Sequence, residues 1–126
     1  MTTLIHGDIT DKIWSAALEV HRNLGPGLLE SAYKVALMKE LTERNLGFRV
    51  EVPIPMLYKG ERLDCGYRAD FLVEGKILIE LKAAEHIHNL FKAQLMTYLK
   101  LSRHKVGLLI NFNCELLKQG VIRIVL

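Results

Sequence analysis

The chain has no run approaching the ~20 consecutive apolar residues of a membrane-spanning helix, so no membrane anchor is expected. It has only two cysteines, Cys65 and Cys114, far apart and outside any metal-type spacing. That scarcity argues against a cysteine-held metal and for free thiols in a reducing compartment. The opening MTTLIHGDITDK lacks a basic segment followed by an apolar run, so a secretion signal is not expected either. Internal repeats, low-complexity tracts and linkers are all missing. Charge of one sign is hardly in excess: 17 Lys and Arg against 14 Asp and Glu leave a net +3. That balance permits an anionic partner without demanding one, and excludes a strongly basic nucleic-acid coat. What is present is an ordinary globular balance, 50% apolar and 25% charged over 126 residues. Such a length builds one core but not two, so a single cytoplasmic domain covering residues 1–126 is expected.

Thr10 is a reasonable N-cap for a first helix that sends Ile13, Trp14, Ala17, Leu18 and Val20 to a core and ends near Asn23-Leu24-Gly25. Gly25-Pro26-Gly27 breaks the chain, and a second helix is expected from about Leu28 to Arg44, stopped by Asn45-Leu46-Gly47. Phe48 to Tyr58 reads as extended, and Pro53 and Pro55 make it an edge strand or one with irregular pairing. Leu63 to Val73 continues into a hairpin with Ile77–Lys82. His88 to Leu101 is amphipathic, Val106 to Phe112 suits a central strand covered on both faces, and Val121 to Leu126 forms a short last strand. The fold class is therefore α/β or α+β, with a mixed central sheet flanked by helices. Its final β-α-β step has the length of a right-handed parallel crossover.

The chemistry concentrates between Asp70 and Lys82, which reads DFLVEGKILIELK. Gly75 marks the turn, and a Glu74-Gly75-Lys76 loop makes residues whose numbers sum to 150 face each other. In that register Phe71, Val73, Ile77, Ile79 and Leu81 share an apolar face, while Asp70, Leu72, Leu78, Glu80 and Lys82 share the other. A register one residue away would put Asp70 opposite Ile79 and mix charge into the apolar face. Asp70 and Glu80, with the main-chain carbonyl of Leu81 between them and Lys82, are hard oxygen donors suited to Mg²⁺, with Mn²⁺ as a substitute. Lys82 is placed to orient the attacking water or neutralise charge on a phosphate. A solvated ion pair gives the same short pattern, but the apolar strand around it makes idle charge costly.

Two further pairs point the same way, and one histidine adds less. Gln94 and Tyr98 are one helical turn apart, as are Glu30 and Tyr33. His21 lies one turn before the glycine break, where it could face a site from the first helix. The two pairs have plainer explanations: a polar residue beside a core tyrosine for the first, helix-dipole chemistry for Glu30 in the second. The basic residues Lys92, Lys100, Arg103, Lys105, Lys118 and Arg123 could track a phosphate backbone, although scattered solvated charge explains such a set equally.

Gly27-Leu28-Leu29-Glu30-Ser31-Ala32-Tyr33 matches the G-x-x-E-x-x-Y signature, and its lead-in Val20-His21-Arg22-Asn23-Leu24-Gly25-Pro26 resembles that of the GxxExxY proteins. The resemblance runs from about Ile9 to the C-terminus, with its motifs in order. That family is placed in the PD-(D/E)xK nuclease-like superfamily, which implies a restriction-endonuclease-like core and a Mg²⁺-type site. By position, Asp70 resembles the acid of the PD half-motif, Glu80 and Lys82 its E-x-K half, and Glu30 the acid on the preceding helix. Gln94 and Tyr98 resemble the Q-x-x-x-Y element of the exonuclease-type branch. Ala69 stands where the superfamily's name has proline, a position that shapes backbone and does no chemistry.

The expectation is thus a Mg²⁺-dependent nuclease acting on nucleic acid, DNA before RNA. Asp70, Glu80, Leu81 and Glu30 would hold the metal, Lys82 would serve the attack, and Gln94, Tyr98, Tyr33 and His21 would bind substrate. The alternative is a catalytically idle nucleic-acid-binding or partner-binding module with the same fold; an interaction protein with an ion-pair network is a third. A chain this small also leaves room for a homodimer, with a second copy helping to grip a duplex.

Overall fold

The computed structural model describes residues 4–126. Its elements follow the order helix α1 (Gly7–Leu24), α2 (Glu30–Glu43), strands β1 (Phe48–Pro53), β2 (Met56–Tyr58), β3 (Glu61–Leu63), β4 (Arg68–Val73), β5 (Ile77–Lys82), then α3 (Asn89–Ser102), β6 (Val106–Asn111) and β7 (Val121–Val125). Five strands form one sheet in the order β1-β4-β5-β6-β7, and β2 pairs with β3 in a separate hairpin. All neighbours in the large sheet are antiparallel except β5 and β6, which run parallel and are joined through α3. This is the expected crossover in a mixed sheet.

Helices cover both faces. Ile13, Ala17, Tyr33 and Leu37 from α1 and α2 pack on Phe71, Ile79, Leu81 and Leu108 of one face. Leu95, Tyr98 and Leu99 from α3 pack on Leu72, Leu78, Leu109 and Ile124 of the other. Strand β6 is buried along its whole length because it lies between β5 and β7 with helices above and below. Burial of apolar surface on both faces at ~25 cal/mol per Å² is the main force holding the three layers together.

Two elements differ from expectation. Helix α1 begins at Gly7, one turn before the expected start, and Thr10 lies inside it. Ile9 is buried and extends the apolar row Ile9, Ile13, Ala16, Ala17 and Val20 by one turn, while the Thr10 hydroxyl donates back to the Gly7 carbonyl (3.2 Å). Trp14, off that row, is exposed and not in the core. The expected long strand from Phe48 to Tyr58 is also two strands. Ile54 still follows the β1–β4 register, donating its N–H to the Tyr67 carbonyl (2.9 Å), and the pairing ends at Pro55, which has no N–H to donate. With Pro53 at its end, β1 sits at the sheet edge. Among the described residues no helix is long and apolar enough to cross a membrane.

Candidate active site

The hairpin has the expected register: Phe71 faces Ile79, Leu72 faces Leu78 and Val73 faces Ile77. Its tight turn is made by Glu74 and Gly75, both with positive φ (53° and 67°). The next facing pair is Asp70 and Glu80, and there the ladder changes character. Asp70 donates its N–H to Glu80 Oε1 (2.9 Å), and Leu81 donates its N–H to Asp70 Oδ2 (2.7 Å). Each carboxylate thus does the work of a main-chain carbonyl on the opposite strand. These two bonds fix both acids at the point where β4 and β5 part.

One oxygen of each acid remains outside this exchange. Asp70 Oδ1 lies 3.8 Å from Lys34 Nζ. Glu80 is only 6% exposed, and none of the ion pairs among the described residues involves it. Burial, reinforced by the Asp70 charge, pushes its carboxyl up to about 8, against the lowering effects of the Asp70 N–H and Lys82. A buried acid with no cationic partner beside a second acid is a donor set that a hard dication fits, since the ion would replace the proton. Among the described residues, no three His, Cys, Asp or Glu side chains form a ready metal-binding group. The fit therefore rests on the Asp70–Glu80 pair.

Glu30 approaches from α2. It is the first residue of that helix and lines a cleft of about 200 Å³ together with Ser31, Lys34, Glu51, Asp70 and Leu81. Partial burial raises its carboxyl, as does the Asp70 charge, while Lys82 and Lys34 lower it. It therefore shares the electrostatic field of the site from the rim of the cleft.

Tyr33 explains why Glu30 is there. Its ring is fully buried and stacks on Phe112 at 4.6 Å. Its hydroxyl donates to the Gly25 carbonyl (2.6 Å) and accepts the Leu28 N–H (3.2 Å). The tyrosine thus clamps the break, in which Gly25 and Gly27 take positive φ (66° and 97°), against the start of α2. This committed hydroxyl differs from the expected contact with substrate. Tyr33→Phe should lower stability by about 1–2 kcal/mol, because two main-chain groups lose their partner. Urea melts of the variant and wild type check this; an unchanged midpoint would show that the hydroxyl does not clamp the break.

The other expected residues divide between the two sides of the sheet. Tyr98 is 4% exposed, and burial, then the charges of Glu80, Tyr67 and Asp70, push its phenol up to about 12. It stays a neutral donor beside the acids. Gln94, one turn earlier, lines a concavity with Tyr98 and Tyr67. Lys82 Nζ lies over the Phe91 ring at 4.8 Å, a cation–π contact that holds it extended. It makes no ion pair among the described residues, yet its charge is felt at both Glu80 and Glu30. His21 lies elsewhere. It is buried against Phe112, with Nε2 2.7 Å from the Cys114 carbonyl, and it does not line the cleft of Glu30 and Asp70.

Three residues at the site escaped the sequence argument. Lys34 pairs with Glu51 Oε1 and reaches toward Asp70; its position four residues after Glu30 was the available signal. Glu51 sits on β1 between the pairs Val50–Phe71 and Val52–Ala69, which puts it across from Asp70. Its φ of 51° interrupts the strand, and nothing in the sequence announces that. Asn111, at the end of β6, bonds the Ala84 N–H and carbonyl (3.0 and 2.9 Å) and so fixes the chain as it leaves Lys82.

A family model described as the PD-(D/E)XK nuclease superfamily matches residues 7–124, nearly the whole chain. No curated protein and no solved structure matches it.

Proposed function

The chain belongs to the PD-(D/E)XK nuclease superfamily, and on that premise we propose that it hydrolyses phosphodiester bonds of DNA with the help of Mg²⁺, or Mn²⁺ in its place. The observation that carries this reading is the Asp70–Glu80 pair, locked to main-chain amides with one oxygen of each left over and, among the described residues, no cation within ion-pair distance of Glu80. Asp70, Glu80 and the Leu81 carbonyl would hold the ion, and Glu30 would complete the set from α2. When bound, a divalent ion supplies charge neutralisation at the scissile phosphate.

The chain's own residues do the rest. Lys82, held extended over Phe91, donates to the attacking water or to a phosphate oxygen, aligning one with the other. Tyr98, a neutral phenol, donates to the phosphate, and Gln94 steadies it from the adjacent turn. Tyr33 positions Glu30 without touching substrate, and His21 holds α1 against the Cys114 carbonyl. Lys34 neutralises part of the acid charge through Glu51 and Asp70.

The Tyr33 clamp gives the G-x-x-E-x-x-Y segment a physical reason for its spacing and supports placing the chain among the GxxExxY proteins. Two free thiols, Cys65 and Cys114, support a cytoplasmic location. A catalytically idle module is the weaker reading, because a buried acid raised this far lowers stability unless something uses it. The test is cleavage of end-labelled DNA with Mg²⁺, Mn²⁺ or EDTA. Cleavage is expected with either ion and none in EDTA; equal cleavage by wild type and Glu80→Ala would expose a contaminant and sink the assignment.

A further inference from the structure

One outer row of α3 carries Leu90, Ala93, Gln94, Thr97 and Leu101 at three- and four-residue spacing. The β2–β3 hairpin and Tyr67 border that row, and two concavities of about 280 Å³ each open between them. Tyr67, Leu90, Gln94 and Tyr98 line the first. Leu57, Arg62, Lys100 and Arg103 line the second. Thr97 in the first and Leu101 in the second are one helical turn apart, so the two concavities lie next to each other along α3 and together span ~20 Å at 1.5 Å per helical residue, a stretch hereafter called the groove.

The two parts differ in chemistry. At one end Tyr67 and Leu90 present exposed apolar surface (45% and 80%), and the Tyr67 ring lies 5.8 Å from that of Tyr98. Tyr98 in turn packs in one cluster with Leu72 and Leu78, on the face of the sheet that also carries Asp70 and Glu80, which puts this end of the groove on the acids' side. At the other end Arg62, Lys100 and Arg103 are exposed, and none has an acidic partner within 4.0 Å among the described residues. These three cations come from two separate segments and converge on one concavity.

Building on the nuclease reading, we infer that this groove seats single-stranded nucleic acid, with an unpaired base on Tyr67 and Leu90 and backbone phosphates on Arg62, Lys100 and Arg103. An aromatic platform beside a cationic track is the combination that unpaired strands use. A duplex hides its base faces inside the stack and would find use only for the cations. The strand therefore enters beside Tyr98 with its backbone directed at Asp70 and Glu80.

The experiment is fluorescence anisotropy of wild-type protein in EDTA, with a labelled single-stranded oligonucleotide and its duplex, at several salt concentrations. The single strand should bind more tightly. Arg62→Gln combined with Lys100→Gln should reduce the salt slope by about 1.4, at ~0.7 per lost phosphate contact. Tyr67→Ala should weaken binding about tenfold without changing the slope, and Lys118→Gln, outside the groove, should change neither. Tighter duplex binding, or an unchanged slope in the double variant, overturns the groove. Groove binding without any cleavage in Mg²⁺ or Mn²⁺ would instead sink the nuclease reading and leave the groove standing. Cleavage with unchanged KM in the groove variants would do the reverse.

Discussion

Replacing Lys82 by Met is expected to reduce DNA cleavage by about 10²–10³-fold, the usual cost of removing one donor aimed at developing charge. Methionine keeps the apolar stem that packs on Phe91 and loses only the ammonium, so the fold and its melting temperature should hold to within a few degrees. A second signature separates this loss from simple damage. Lys82 lowers the proton affinity of both Glu30 and Glu80. Without it both carboxyls keep their protons to higher pH, so residual cleavage should shift its rising limb toward alkaline pH. A rate profile from pH 6 to 10 reads this directly. Loss of rate with an unshifted profile would remove Lys82 from the field of the acids.

The second large effect belongs to Glu80. Its native carboxyl is raised from 4.5 to about 8, first by burial and then by Asp70. The folded state therefore holds a proton that the unfolded chain releases near 4.5. Stability of the metal-free protein should fall as pH rises through that window, at up to about 1.4 kcal/mol per pH unit, with the loss complete above the native value. Glu80→Gln keeps an oxygen for the Asp70 N–H and carries no charge. In EDTA it should match wild type near pH 4.5 and exceed it by about 2–4 kcal/mol at pH 9, while cleavage falls by about 10³-fold or more. Urea denaturation at the two pH values checks the first part. A variant less stable than wild type at pH 9 would mean that Glu80 serves the fold, not a ligand.

The hairpin was legible because a strand's side chains alternate with period two. Only one register keeps Asp70 and Glu80 off the face of Phe71, Val73, Ile77, Ile79 and Leu81, and those five do share one core. Leu72 and Leu78 lie in the other core, on the acids' side of the sheet. Where the ladder stops could not be read, because a carboxylate standing in for a carbonyl is a side-chain event that alternation does not encode. Helix α1 misled for a local reason: Thr10 resembles a cap, but its hydroxyl bonds backward and buried Ile9 rewards another turn.

The G-x-x-E-x-x-Y spacing was visible, yet the role of Tyr33 depended on stacking with Phe112, far away in the chain. Glu51 was beyond reach for a related reason. Its place opposite Asp70 follows from the β1–β4 pairing, and its positive φ has no residue-type signal. The cationic end of the groove likewise exists only once the β2–β3 hairpin meets the end of α3. Local periodicity gave the strands and the acids; long-range contact decided what surrounds them.

The most direct test of the metal site is anomalous diffraction from crystals of the wild-type protein soaked in Mn²⁺. The account predicts a peak between the Asp70 and Glu80 carboxylates, within coordinating reach of the Leu81 carbonyl, that vanishes in Glu80→Gln crystals. An empty Asp70–Glu80 pair in wild-type crystals soaked in Mn²⁺ would contradict it.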